Sequence, residues 1–252
     1  MGSRRRQQRG RSKRIRRIRF RRRKNSFLEV FGPRLVHDED IAHRFRPARI
    51  LILGHSFIWR LEEYMLKSFG FHHNMGFSYG TAEIFFRGTG GRTCDRLISD
   101  DLPVVDELRP DIVYLEVGTN DLTDMSLRPE TIGSLIEDFV TECATLNVGI
   151  TIVGQTIFRN DPQDEEIYPK LHPEFNDRVI QLNNYNKVVL DPEVHEWGMY
   201  WRHIGLWHSS LPIIKPRDGV HLTGYGNFKL FKSIRGALVH GLRRINQRLW
   251  LW

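Results

Sequence analysis

Nucleophilic catalysis at a carbonyl by a side chain needs a nucleophile, a base that takes its proton, and a carboxylate that steadies the base. Ser56 is the candidate nucleophile. It stands in Leu53-Gly54-His55-Ser56-Phe57, where a short apolar run gives way to helical spacing. A serine at a tight strand-to-helix turn presents its hydroxyl at the edge of a sheet. Its N–H opens a helix, whose dipole favours an anion. The plainer reading of Gly-x-Ser before a helix is an N-cap. Asp218 and His221 stand in Arg217-Asp218-Gly219-Val220-His221, just ahead of the last helical stretch. Three residues apart in one loop, both can face one site, with the carboxylate on one imidazole nitrogen. Taken alone, Asp-x-x-His is more often a surface turn.

The tetrahedral intermediate of such a reaction needs hydrogen-bond donors. Asn120 stands in the run Glu116-Val117-Gly118-Thr119-Asn120-Asp121, and its amide can donate towards the same space. The alternative for this motif is an Asx turn that closes the strand. Between these motifs lies Arg87-Gly88-Thr89-Gly90-Gly91-Arg92-Thr93, a glycine-rich turn able to offer backbone N–H groups to an anion. It lacks the Gly-x4-Gly-Lys-Ser/Thr pattern, which argues against nucleotide binding.

The elements that must position these residues are read from periodicity. Ile50 to Leu53 is an apolar run ending at Gly54, and reads as a buried strand. Residues 58–69 have helical spacing, with Leu61, Met65, Leu66 and Phe69 on one side. Residues 83–86 read as a weaker strand, 93–108 as a helix broken near Pro103, and 111–117 as a strong strand. Residues 129–146 form the clearest helix, entered through Pro129 and Glu130. A strand at 149–157, a helix at 175–190, a strand at 199–204 and a closing helix at 224–242 complete the pattern. Strands apolar on both faces that alternate with helices imply a parallel sheet covered on both sides. Ligands in such sheets bind beyond the carboxyl ends of the strands. All four motifs fall at a strand end or just before a helix.

Together the motifs resemble a known pattern. Gly54-His55-Ser56, the glycine at 91, Gly118-Thr119-Asn120-Asp121 and Asp218-Gly219-Val220-His221 look like the four blocks of the SGNH (GDSL) hydrolase superfamily. The resemblance covers roughly residues 48–242. It implies an α/β fold, a flavodoxin-like three-layer sandwich with a five-stranded parallel sheet. It implies an esterase acting through an acyl-serine on ester or acetylated substrates, with no metal or organic cofactor. Ser56 resembles the nucleophile, His221 the base and Asp218 its partner. The Ser56 N–H, the Gly91 N–H and the Asn120 side chain resemble the oxyanion hole. Gly91 is preferred to Gly90 because the family's block usually reads Gly-x-Thr, as Gly91-Arg92-Thr93 does. One departure is plain: the family often has Asp where this chain has His55, which reads as a structural residue. The stretches His221 to Leu230 and Tyr200 to His203 are also similar to SGNH domains of invertebrate genomes, several of them encoded by retrotransposons.

Charge divides the chain. Residues 1–24 hold twelve Arg and two Lys and no acid. Fourteen of the 38 basic residues lie there, so the other 24 face 30 acidic ones, a formal −6. Such a block repels itself and reads as a disordered tail. It would engage RNA or DNA phosphates with steep salt dependence. We expect a tail at 1–24, a connecting segment at 25–47, a hydrolase domain at 48–245 and a short extension at 246–252. Cys94 and Cys143 make neither a disulfide framework nor a zinc spacing, and read as buried thiols in a reducing compartment. No apolar run is long enough to span a membrane, and no apolar h-region follows the basic start. An intracellular protein is expected, nuclear rather than cytoplasmic. His72-His73 reads as a solvated loop. His195, His203 and His208, which flank Trp197, Trp201 and Trp207, read as packing of the last strand, or else as a pocket wall. Trp250-Leu251-Trp252 reads as a docking end. The competing function is a catalytically inactive SGNH scaffold in a nucleic-acid-binding protein. Oligomeric state is not readable.

Overall fold

The computed structural model describes residues 46–68, 74–206 and 213–249. The basic tail, nearly all of the connecting segment, His72, His73, Trp207, His208 and Trp250 to Trp252 lie outside the described residues.

Five parallel strands form one sheet: β1 (Ala48–Gly54), β2 (Ala82–Gly88), β3 (Ile112–Glu116), β4 (Ile150–Gly154) and β5 (Gly198–Trp201), in the order β2-β1-β3-β4-β5. The helices are α1 (Ser56–Lys67), α2 (Leu102–Leu108), α3 (Pro129–Thr145), α4 (Phe175–Val189) and α5 (Gly224–Leu249). Alternate residues of each strand point to opposite faces. Ile50, Ile52, Ile112, Tyr114, Ile150 and Ile152 pack with α1 and α5. Leu51, Leu53, Val113, Leu115 and Val153 pack with α2, α3 and α4. That is the three-layer α/β sandwich the resemblance implies. Each fully buried Leu or Ile contributes about 1.5–3 kcal/mol, so both faces must be covered.

The chain leaves β1 in one direction to make β2 and crosses back to make β3 on the other side. This reversal opens a crevice at the carboxyl ends of β1 and β3. Gly54 and Glu116 pair there in register.

Some elements differ from their expected form. In α1 the buried residues are Phe57, Ile58, Leu61 and Met65. Leu66 is largely exposed; one residue past Met65, it is turned about 100° away from that face. The break near Pro103 lies earlier than expected. A π turn over Leu97–Asp101 precedes α2, and Pro103 sits in the first turn of that helix, where a missing N–H costs nothing. The last helix runs on past Leu242 and Ile245 to Leu249. Residues 246–249 therefore continue that helix. Among the described residues no helix is long and apolar enough to cross a membrane.

Candidate active site

Ser56 is the first residue of α1, and the cap is His55 rather than Ser56. His55 is in extended conformation, and its Nδ1 accepts from the Phe57 N–H at 3.3 Å. The Ser56 hydroxyl is thereby left available, and its N–H has no partner one turn earlier. The turn is held to the sheet edge, since the His55 N–H donates to the Glu116 carbonyl at 3.1 Å.

Ser56 Oγ lies 3.3 Å from His221 Nε2. His221 Nδ1 lies 3.0 Å from Asp218 Oδ2. The other Asp218 oxygen accepts from the Val220 N–H at 2.9 Å and the His221 N–H at 2.8 Å. The carboxylate can therefore turn only one oxygen to the ring. A proton on Nδ1 directed at Asp218 leaves the Nε2 lone pair facing Ser56. Burial pulls the His221 pKa down, and Arg60 and Lys215 add to this; the Asp218 hydrogen bond opposes it without cancelling it. Partial burial pushes the Asp218 carboxyl up, but the N–H bonds from His221 and Val220 and the His221 ring outweigh it. Asp218 therefore stays below its usual value.

The expected oxyanion donors lie in two loops bonded to one another. Gly91 has φ +69, a conformation that favours glycine, and a side chain there would meet only open space. Its loop is tied to the Ser56 turn by the Thr89 N–H, which donates to the Gly54 carbonyl at 2.9 Å. Asn120 Nδ2 donates to the Arg92 carbonyl at 2.9 Å. The Asn120 side chain thus reaches across to the glycine loop instead of closing an Asx turn. Next to it, Asp121 accepts from the Cys94 N–H at 2.7 Å and holds the same two loops together. Both cysteines are buried free thiols.

Two sets of contacts were not read from the sequence. Arg159, just past β4, donates to Thr119 and Asn120. Position alone could have found it, because it lies beyond a strand's carboxyl end. Beneath the turn, Glu116 Oε2 accepts from the Tyr114 hydroxyl at 2.7 Å and lies 3.1 Å from His203 Nε2. His203 Nδ1 lies 2.8 Å from Ser233 Oγ. This serine, histidine and carboxylate resemble a triad in outline, yet His203 has no exposed surface. Its place is in the packing, not in a pocket wall. Tyr114 and Glu116 share a face two apart on β3, but no sequence spacing links them to residues 203 and 233.

The sequence matches the GDSL-like lipase/acylhydrolase family over residues 68–227. That span holds Gly91, Asn120, Asp218 and His221, while Ser56 lies ahead of it. No curated protein matches by sequence. Solved structures with the same fold include a Bacteroides fragilis protein assigned as an acylhydrolase, at 18% identity and TM-score 0.59, covering 82% of this chain and 96% of that one. A carbohydrate acetylesterase from Sinorhizobium meliloti has 16% identity and TM-score 0.57, covering 77% and 99%. A variant of an acetyl-xylooligosaccharide esterase from Geobacillus has 15% identity and TM-score 0.52, covering 79% and 94%. With its sheet order, its strand-end loops and a match spanning most of the described residues, the chain belongs to the GDSL-like lipase/acylhydrolase family of ester hydrolases.

Proposed function

We infer that the chain hydrolyses esters through an acyl-enzyme on Ser56. His221 Nε2 takes the Ser56 proton as Oγ bonds to the ester carbonyl carbon. The carbonyl electron pair moves onto oxygen, where the Ser56 N–H, the Gly91 N–H and the Asn120 amide receive it. Each such donor is worth about 3 kcal/mol in kcat. Collapse expels the alcohol, which takes its proton from His221. Water then adds to the acyl-serine with His221 again as base; collapse breaks the bond between Oγ and the acyl carbon, Oγ recovers the proton from His221, and the acid leaves. Asp218 holds the imidazole in the required tautomer and steadies its charge. The observation that carries this reading is the unbroken run of hydrogen bonds from Ser56 Oγ through His221 to Asp218. The acetylesterases of the same fold support a short acyl group, including acetyl on a sugar, as substrate.

The test is hydrolysis of p-nitrophenyl acetate and butyrate by the full chain and by its Ser56→Ala form. Removal of the hydroxyl should lower kcat by at least about 1,000-fold with the fold retained. Wild-type rates from Ser56→Ala would sink the assignment. Residues 1–24 extend the proposal: twelve arginines there are suited to forked phosphate contacts. Binding of the full chain to RNA or DNA should weaken linearly in log–log form with salt. Deletion of residues 1–24 should abolish it, and undiminished binding after deletion would refute the extension.

A further inference from the structure

Arg159 is the least expected charge near the site. It follows β4 in Gly154-Gln155-Thr156-Ile157-Phe158-Arg159, and the residue is only 8% exposed. Its backbone is clamped by Asn176, whose Oδ1 accepts the Arg159 N–H at 3.1 Å and whose Nδ2 donates to the Arg159 carbonyl at 3.0 Å. Its guanidinium lies over the Phe175 ring, 4.9 Å from the centroid. From there Nε donates to Thr119 Oγ1 at 3.2 Å, and a terminal nitrogen donates to the Thr119 carbonyl at 2.9 Å and to Asn120 Oδ1 at 3.1 Å. Every one of these acceptors is neutral. Among the described residues no carboxylate forms an ion pair with it. Arginines this deeply buried are ordinarily paired. Burial draws its pKa down to about 10, which leaves it charged at neutral pH.

The consequence falls on Asn120. A guanidinium has donors only, so the amide end that faces it must be the oxygen. The nitrogen end is then directed at the Arg92 carbonyl, 2.9 Å away. One of its two hydrogens is engaged there and the second is left to donate. A charged donor on Oδ1 also polarises the amide and strengthens its N–H as a donor.

We propose that Arg159 is a positioning residue of the oxyanion hole: it fixes which end of the Asn120 amide faces the reacting carbonyl and sets an uncompensated positive charge behind it. This rests on the serine-hydrolase reading above. Negative charge that develops on the carbonyl oxygen is then met by a preorganised dipole with a cation at its back. An arginine that only held Thr119 in place would affect stability and leave kcat alone.

The experiment is a double-mutant cycle in the full chain. Arg159→Met and Arg159→Lys are each measured with and without Asn120→Ala, with kcat and KM on p-nitrophenyl acetate and the thermal midpoint as readouts. Arg159→Met should lower kcat by about 10- to 100-fold with KM within about twofold. Arg159→Lys keeps the charge without the fork, and should fall between Arg159→Met and wild type. In the Asn120→Ala background either change should cost less than about threefold more, because the two residues act through one donor. Losses that multiply in the cycle, or an unchanged kcat in folded Arg159→Met, would overturn the proposal. If Arg159→Met does not fold, Arg159→Lys decides it, and a wild-type kcat beside a crippled Asn120→Ala overturns it. Ser56→Ala separates the two readings. Serine-dependent turnover that ignores Arg159 removes only the positioning role. Turnover that ignores Ser56, or a wild-type chain inert to both ester and a fluorophosphonate probe, removes both.

Discussion

Oε2 of Glu116 lies 3.1 Å from Nε2 of His203, and both side chains are sealed from solvent. Glu116 ends β3 and His203 follows β5, with β4 between them. They meet across β4 because Gly154 has no side chain; a Cβ there would strike the Tyr114 hydroxyl and the Glu116 carboxylate. His203 then joins Ser233 of α5, which also accepts from Trp201 Nε1 at 3.1 Å. Burial pushes the Glu116 carboxyl up, but His203, His55 and the Tyr114 hydroxyl outweigh it and hold its pKa below the usual value. The network therefore fastens α5 to the sheet edge whose Glu116 carbonyl receives the His55 N–H.

Breaking this pair should be costly. Removing one partner takes a buried hydrogen bond from the other, a loss of about 1–3 kcal/mol. Glu116→Ala and His203→Ala should each lower unfolding stability by that order in urea. The double variant should lose about 1–3 kcal/mol less than the sum of the two. Strict additivity would show that the two groups do not act as a unit.

On the proposed mechanism, His221 should work as base at mildly acidic pH. Burial lowers the His221 pKa from 6.5, Asp218 raises it, and Arg60 and Lys215 lower it further, with a net fall. A lowered pKa keeps the imidazole neutral, and able to accept the Ser56 proton, to lower pH. The acid limb of kcat/KM on p-nitrophenyl acetate should therefore have its midpoint below 6.5. Arg60→Met removes a repelling cation and should shift that midpoint upward. A wild-type midpoint above 6.5, or one that Arg60→Met leaves in place, would count against this account.

What the sequence revealed followed from local signals. β1, β3 and β4 are largely apolar on both faces, so the burial of their apolar residues could be read, while that of Glu116 and Thr151 could not. The four loop motifs could be read because each lies within a few residues of a strand end or a helix start. The Ser56–His221 contact joins residues 165 apart, and only the resemblance brought them together in advance. No such pattern covers Arg159, whose partners are neutral groups 39 and 40 residues away. A cation bonded to a carbonyl, a hydroxyl and an amide leaves no charge complement to search for. Glu116 and His203 lie 87 residues apart, and the glycine that lets them meet is on a third strand. Leu66 shows the limit within one helix, since an apolar residue next to a buried one need not share its face.

His55 stands where the family often has Asp, and its titration should appear in stability. The ring is buried, accepts from the Phe57 N–H at 3.3 Å and meets the Phe57 ring edge-on at 4.6 Å. Burial lowers its pKa from 6.5 to about 4; Glu116 opposes the shift, and Arg159 and His221 add to it. The folded chain thus keeps His55 neutral down to about pH 4, while the unfolded chain protonates it below 6.5. In that window the unfolded state binds more protons, so stability is full above 6.5 and is lost as pH falls towards 4. The gap corresponds to roughly 3 kcal/mol. Asn at this position still offers an oxygen to cap α1 but does not titrate. Between about pH 7.5 and 4.5, wild type should lose roughly 2–3 kcal/mol more unfolding free energy than His55→Asn. Equal losses in the two proteins would mean that the folded site accepts the proton, and that the burial of His55 is not what sets its charge.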